Sequence, residues 1–287
     1  MTRFPGILKV SCIFLLDFSV LYRLTGLVPA LLITGGIAFY TVLGGHAGLW
    51  VEGAVPLKKL PACERERLAA VKRQLEKEVL RTSGAHISSL KLYLLPKRDD
   101  LNASAYGHNC IAVTEGTFEA SDDPMLCAVL CHEISHTLRM DPEVSRAVIA
   151  SVTLMMAALS LASAASVAVL FLLFLVFRCF GCCLGYLAFR GLSRFTGGAF
   201  RLIQRGVVLL YQGVLGMACR HAEYQCDAFA CRMGYGVPLS LFLSLIQEEP
   251  PSKGLGGLLY CSHPPLRLRI ARLEEEMARS VSAVERI

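Results

Sequence analysis

From Ala147 to Phe177 the chain runs 31 residues without a charged or amide side chain. A single helix of that length would extend about 46 Å, whereas the hydrocarbon of a bilayer is roughly 30 Å thick. A second uncharged run, Cys179 to Phe189, follows at once, so residues 147–190 read as a transmembrane hairpin. Leu24 to Gly45 supplies 22 further uncharged residues, enough for one span. Lys9 and Asp17 interrupt the apolar segment Ile7 to Tyr22, which leaves it either a poorer span or an interfacial helix. Residues 1–50 are thus an N-terminal membrane anchor with one or two transmembrane helices. The interrupting charges and the apolar segment that follows argue against a cleaved signal peptide.

The rest of the composition agrees. Hydrophobic residues make up 54% and charged ones only 18%, which excludes a disordered chain. The formal charge of +6 raises nucleic acid as a partner, but its distribution excludes it. Between Val144 and Ala222 there are seven arginines and no acid, so this most apolar part carries +7 and the remainder −1. A basic excess confined to membrane segments points to lipid headgroups. The 12 cysteines lie without regular spacing in apolar runs and read as reduced, buried thiols rather than a disulfide framework. Cys179, Cys182 and Cys183 are either packing residues, which the lack of a second pair favours, or a metal or acylation cluster.

Two water-facing parts flank the hairpin, residues 51–146 and 191–287. Leu68, Val71, Leu75 and Val79 at helical spacing predict an amphipathic helix that stops at Ser83-Gly84. Ser89 to Leu95 and Cys110 to Thr114 predict strands. Asp122-Asp123-Pro124 opens a helix that runs to about Met140, and a charged helix begins near Leu266.

The helix before the hairpin carries His132-Glu133-Ile134-Ser135-His136. Two histidines four apart share a helix face and can hold one zinc ion, with the intervening glutamate placed to act on water. With this composition the pattern arises by chance in about one shuffled chain in a hundred. A catalytic zinc needs a third protein ligand and an open position. Glu223 is the candidate, on a helical stretch with Asp227 one turn on; a solvated helix face or an Arg220–Glu223 surface pair are the other readings of that segment.

An ordered set of motifs then resembles the HtpX-type membrane zinc metallopeptidases, related to the CAAX prenyl protease family. It comprises Asn102-Ala103-Ser104-Ala105, Ile111 to Gly116, the HEISH segment with Asp141 beyond it, Arg220-x-x-Glu223-Tyr224-x-x-Asp227, and Ser262-His263-Pro264-Pro265 followed by Arg269-Ile270. The resemblance implies His132, His136 and Glu223 as ligands of one zinc ion per chain, Glu133 as general base and Asp227 behind a ligand histidine. It also places His263 and Arg269 near the active site as catalytic candidates. Ser104 departs from the family's phenylalanine. The implied fold is α+β and mostly helical, a zincin-like domain with its HExxH helix and small β-sheet interrupted by transmembrane helices.

The expected activity is zinc-dependent, gluzincin-type endopeptidase hydrolysis of protein or peptide substrates, membrane proteins above all, in quality control. Cys110, Ile111, Ala112, Val113 and Thr114, with Asn102 and Ala103 nearby, form the expected substrate-binding strand, an edge on which an extended substrate pairs by main-chain hydrogen bonds. Selective CAAX-type processing and a non-enzymatic membrane metal-binding protein are the alternatives. Because the histidines precede the hairpin and Glu223 follows it, the chain crosses an even number of times between them. A return before Arg190 is expected; the rival puts the second span at Leu202 to Cys219 with four arginines beyond it. The positive-inside tendency and reduced thiols predict an integral membrane protein, of the cell membrane if prokaryotic, with its catalytic portion facing the cytoplasm.

Overall fold

A computed structural model describes residues 4–87, 89–107, 109–179, 185–246 and 264–284. They divide into two compact units, Met1–Val148 with Gly216–Ile287, and Ile149–Leu215.

The first unit opens with a helical hairpin of α1 (Phe4–Thr25) and α2 (Leu27–Val51). The reversal is at Gly26, whose φ of 86° an L side chain rarely adopts. After a short strand β1 (Val55–Pro56) and a 3-10 turn (Leu57–Lys59), α3 (Ala62–Ser83) buries all four residues of its expected stripe and ends on Gly84 in the left-handed region, φ 67°. Strands β2 (Lys91–Leu95), β3 (Ala103–Gly107) and β4 (Cys110–Thr114) complete a sheet of order β1-β2-β4-β3. β2 and β4 are parallel and the other pairs antiparallel. Helices α4 (Glu115–Ala120) and α5 (Asp123–Arg139) follow. α5 starts as its sequence predicts, with the Asp122 side chain accepting from the Met125 amide at 2.8 Å. Leu68 and Leu75 of α3, Leu92 and Ile111 of the sheet, and Leu126, Leu130 and Ile134 of α5 form one continuous core.

The sheet corrects one expectation. β4 is not an edge: β2 occupies one side of its ladder and β3 the other, and all five of its residues are buried. The terminal strand on that side is β3, whose Ala-Ser-Ala-Tyr-Gly sequence lacks the β-branched residues that signal a strand.

α6 (Asp141–Cys179) and α7 (Gly185–Ala230) are each continuous. A π-helical turn (Cys231–Tyr235), α8 (Gly236–Leu245) and α9 (Leu266–Val284) follow. In the second unit the middle of α6 and the first part of α7 pair: Gln204 Nε2 donates to Ser160 Oγ at 2.9 Å, and Phe189 stacks on Phe174 with centroids 5.2 Å apart. The expected boundary at residue 190 falls inside α7, because arginine is a good helix former and a change of charge does not interrupt the backbone ladder. Among the described residues, three helical stretches are long and apolar enough to cross a membrane: Leu27–Val51, Asp141–Cys179 and Tyr186–Leu245. α1 is not among them.

Candidate active site

The site lies within the first unit, on α5, the start of α6, the end of α7, and α9. One helical turn sets His132 and His136 side by side, with their Nε2 atoms 3.2 Å apart. Glu223 of α7 faces both, Oε2 lying 3.5 Å from His132 Nε2 and Oε1 3.4 Å from His136 Nε2. Donors about 3.3–3.4 Å apart are what a tetrahedral site with bonds of about 2.0–2.1 Å requires. The three side chains therefore fit a zinc ion.

The outer nitrogens are held as well. His132 Nδ1 is 2.9 Å from Asp227 Oδ1, and His136 Nδ1 is 3.0 Å from Asp141 Oδ2. A carboxylate on Nδ1 fixes the tautomer that leaves Nε2 for a metal. Asp141 gets there because α5 ends on Met140 in the left-handed region, φ 60°, and α6 starts at the next residue. Arg139 Nε holds the same carboxylate oxygen at 3.0 Å.

Arg269 of α9 is 6% exposed. Its Nε and Nη2 donate to Asp227 at 2.9 and 2.7 Å, and its Nη1 lies 3.0 Å from Glu223 Oε2. Burial opposes a charged Asp227, yet the bonds from Arg269 and His132 hold its carboxyl below the usual range. Burial likewise opposes charge on His132, but Asp227 and Glu223 outweigh it and raise its pKa to about 10. A field that so favours a proton on the imidazole also favours a divalent cation between these donors. Burial pushes the Glu133 carboxyl upward, against the nearby histidines and a backbone hydrogen bond with Ala105 of β3.

That bond brings the terminal strand to the site. The far end of β3 is clamped: Arg146 donates from Nη1 to the Tyr106 carbonyl at 3.0 Å and from Nε to the Thr41 carbonyl of α2 at 3.0 Å. Gly45 of α2 lies against the same Tyr106 carbonyl, where a Cβ would overlap it. The Tyr106 hydroxyl donates to Glu52 Oε1 at 2.6 Å.

Of the residues singled out in the sequence, His132, Glu133, His136, Glu223, Asp227 and Arg269 come together. His263 lies outside the described residues. Asn102 ties β3 to its neighbour, its carbonyl accepting from the Thr114 amide at 3.0 Å and Thr117 Oγ1 at 2.9 Å, and Cys110 to Thr114 stand one strand behind Ala103. Sequence reasoning missed Asp141 as a histidine partner, although its place after the helix end was a signal. It also missed Arg146, and the Cys226 thiol, which forms with His136 and Asp141 a group able to hold a metal beside the group of His132, Glu133 and His136.

The model of peptidase family M48 matches residues 66–277. The chain belongs to peptidase family M48. A search of curated proteins returns no match. Among solved structures, the crystal structure of S. mikatae Ste24p shares the fold, with a TM-score of 0.50 at 17% identity. The match covers 91% of this chain and 61% of that one, so this M48 chain spans less than two thirds of its structural neighbour.

Proposed function

We propose that this M48 protein is an integral-membrane zinc endopeptidase of the gluzincin type. The observation that carries the reading is the cluster of donors in which the Nε2 atoms of His132 and His136 lie 3.2 Å apart and the two Glu223 oxygens face them, Oε2 at 3.5 Å from His132 and Oε1 at 3.4 Å from His136, beside a buried glutamate that such a site would not need for structure alone. Zinc at these ligands would supply Lewis-acid polarisation of the scissile carbonyl and acidify water. Burial raises the Glu133 carboxyl, which makes its carboxylate a stronger base; that carboxylate accepts a proton from the attacking water and returns it to the leaving amine. Asp227 and Asp141 orient the ligand imidazoles. Arg269 is a positioning residue, since its guanidinium is committed to Asp227 and Glu223. His263, near the active site by resemblance, has the chemistry to donate to the developing oxyanion.

An extended substrate adds to β3 at Ala103–Ala105 as a further strand, and main-chain pairing reads backbone shape more than side chains. That suits clearance of damaged membrane proteins. Strict cleavage of one short motif in a peptide library would instead favour selective CAAX-type processing.

Lys58, Lys59 and Arg220 near the catalytic ends of the spans, together with the reduced thiols, support a cytoplasmic catalytic unit. α1 is paired to α2 and its Gly6 lies against the Arg139 carbonyl, so its first turn stands beside the end of α5. The deciding experiment compares zinc content and hydrolysis of casein and membrane proteins for wild type and Glu133→Gln. Equal inactivity with zinc bound removes the protease reading, and full activity of Glu133→Gln excludes the mechanism.

A further inference from the structure

The continuous α7 creates a surface that the linear sequence hides. At about 100° per residue, Arg190, Arg194, Arg201 and Arg205 fall within an arc of about 60° and run about 22 Å along the helix. All four are exposed. No acid occurs anywhere between Val144 and Ala222 to neutralise them. The contact between Gln204 and Ser160 sets Arg201 and Arg205 level with the middle of the uncharged 147–177 run of α6. A guanidinium facing hydrocarbon at that level is costly, and the cost is relieved when phosphate groups are drawn in to meet it.

The surroundings are amphiphilic. Leu187, Phe195 and Leu202 are 68%, 74% and 71% exposed on the same helix. Gly197 leaves room for the Arg201 guanidinium, whose Nη1 lies 3.6 Å from where a Cβ would be. The arginines form two i,i+4 pairs, each pair about 5–6 Å apart at the Cβ atoms, a spacing at which two planar guanidinium forks can share one phosphate. We propose that this stripe binds anionic phospholipid, the pairs Arg190/Arg194 and Arg201/Arg205 holding phosphate while Leu187, Phe195 and Leu202 lie along the acyl chains. Apolar flanks favour a lipid over an acidic protein segment, which would bring charge without chains to cover them.

The test uses the full chain in neutral detergent and native mass spectrometry, with phosphatidylglycerol, phosphatidylcholine or inorganic phosphate added. Phosphatidylglycerol should be retained preferentially, and weakened on the order of tenfold or more by Arg190→Gln with Arg194→Gln, with a further loss when Arg201→Gln and Arg205→Gln are added. Inorganic phosphate alone should not compete. Zinc content, which none of the four touches, reports that each variant is folded. If the fourfold variant does not fold, the Arg190/Arg194 pair variant and the loss of wild-type binding in high salt still decide. Equal binding of both lipids, salt-independent binding, undiminished binding by a folded variant, or a co-purifying acidic protein on this face in place of lipid would each overturn the proposal.

Discussion

Replacing Arg269 by methionine tests the electrostatic logic of the site. Arg269 makes contacts of 2.7, 2.9 and 3.0 Å to two carboxylates and is 6% exposed. It belongs with buried pairs, whose one-sided removal costs about 3–5 kcal/mol, not with surface pairs worth about 0–1 kcal/mol. The apolar stem of methionine keeps the packing, so the loss is that of the charge, which strands Asp227 and Glu223 together in a dry site. A double-mutant cycle with Asp227→Asn separates this from mere cavity formation. Once Asp227 is neutral, losing the arginine should cost less, with a coupling energy on the order of 2 kcal/mol. The assay is thermal unfolding of the full metal-free chain in detergent.

The pH dependence has a definite sign. Burial acts against it, but Arg269 and His132 lower the Asp227 carboxyl in the folded protein. That contribution is present above the unfolded value of about 3.9 and is lost as pH falls through the lower folded value. Without Arg269 only His132 opposes burial at the same carboxyl, so the variant draws less stability from its charge than wild type does, and the gap should narrow on acidification. Additive single and double variants, or a cost for Arg269→Met below about 1 kcal/mol, would refute the reasoning.

Glu133→Gln should keep one zinc per chain by elemental analysis and lose on the order of 10²- to 10⁴-fold in hydrolysis rate. Asp141→Asn, which weakens the hold on His136, should lower zinc affinity about 10- to 100-fold in competition with a chromophoric chelator. Gly45→Ala forces a methyl group into the Tyr106 carbonyl, so β3 must shift; unfolding should show a cost of about 1–3 kcal/mol, and substrate turnover should fall while zinc content stays at wild-type level. Removing metal with a chelator should abolish hydrolysis, and added zinc should restore it.

Local signals were legible where one rule acts alone. The cap at Asp122, the stripe of Leu68, Val71, Leu75 and Val79, and the glycine stop at Gly84 each follow from hydrogen-bonding or periodicity rules that need only neighbours in sequence. The histidine pair was equally readable, because four residues make one helical turn. β3 was not, since Ala103–Gly107 has no propensity to announce it and is a strand because β4 offers an open ladder. The expected hairpin limit at residue 190 leaves no mark in the backbone for the opposite reason: charge marks a change of environment, and helix geometry continues through it.

The amino-acid sequence by itself determined that this chain has stretches long and apolar enough to cross a membrane and which residue types could bind a metal, because both depend on composition and short spacing. Only the tertiary structure decided that Glu223 completes the histidine pair across more than 80 intervening residues, that Arg269 holds the carboxylates behind it, and that β3 rather than β4 is the terminal strand beside Glu133. Those outcomes depend on which backbone groups and charges find partners once distant segments pack, and a buried charge or an open ladder is satisfied by whatever the fold brings within 3 to 4 Å.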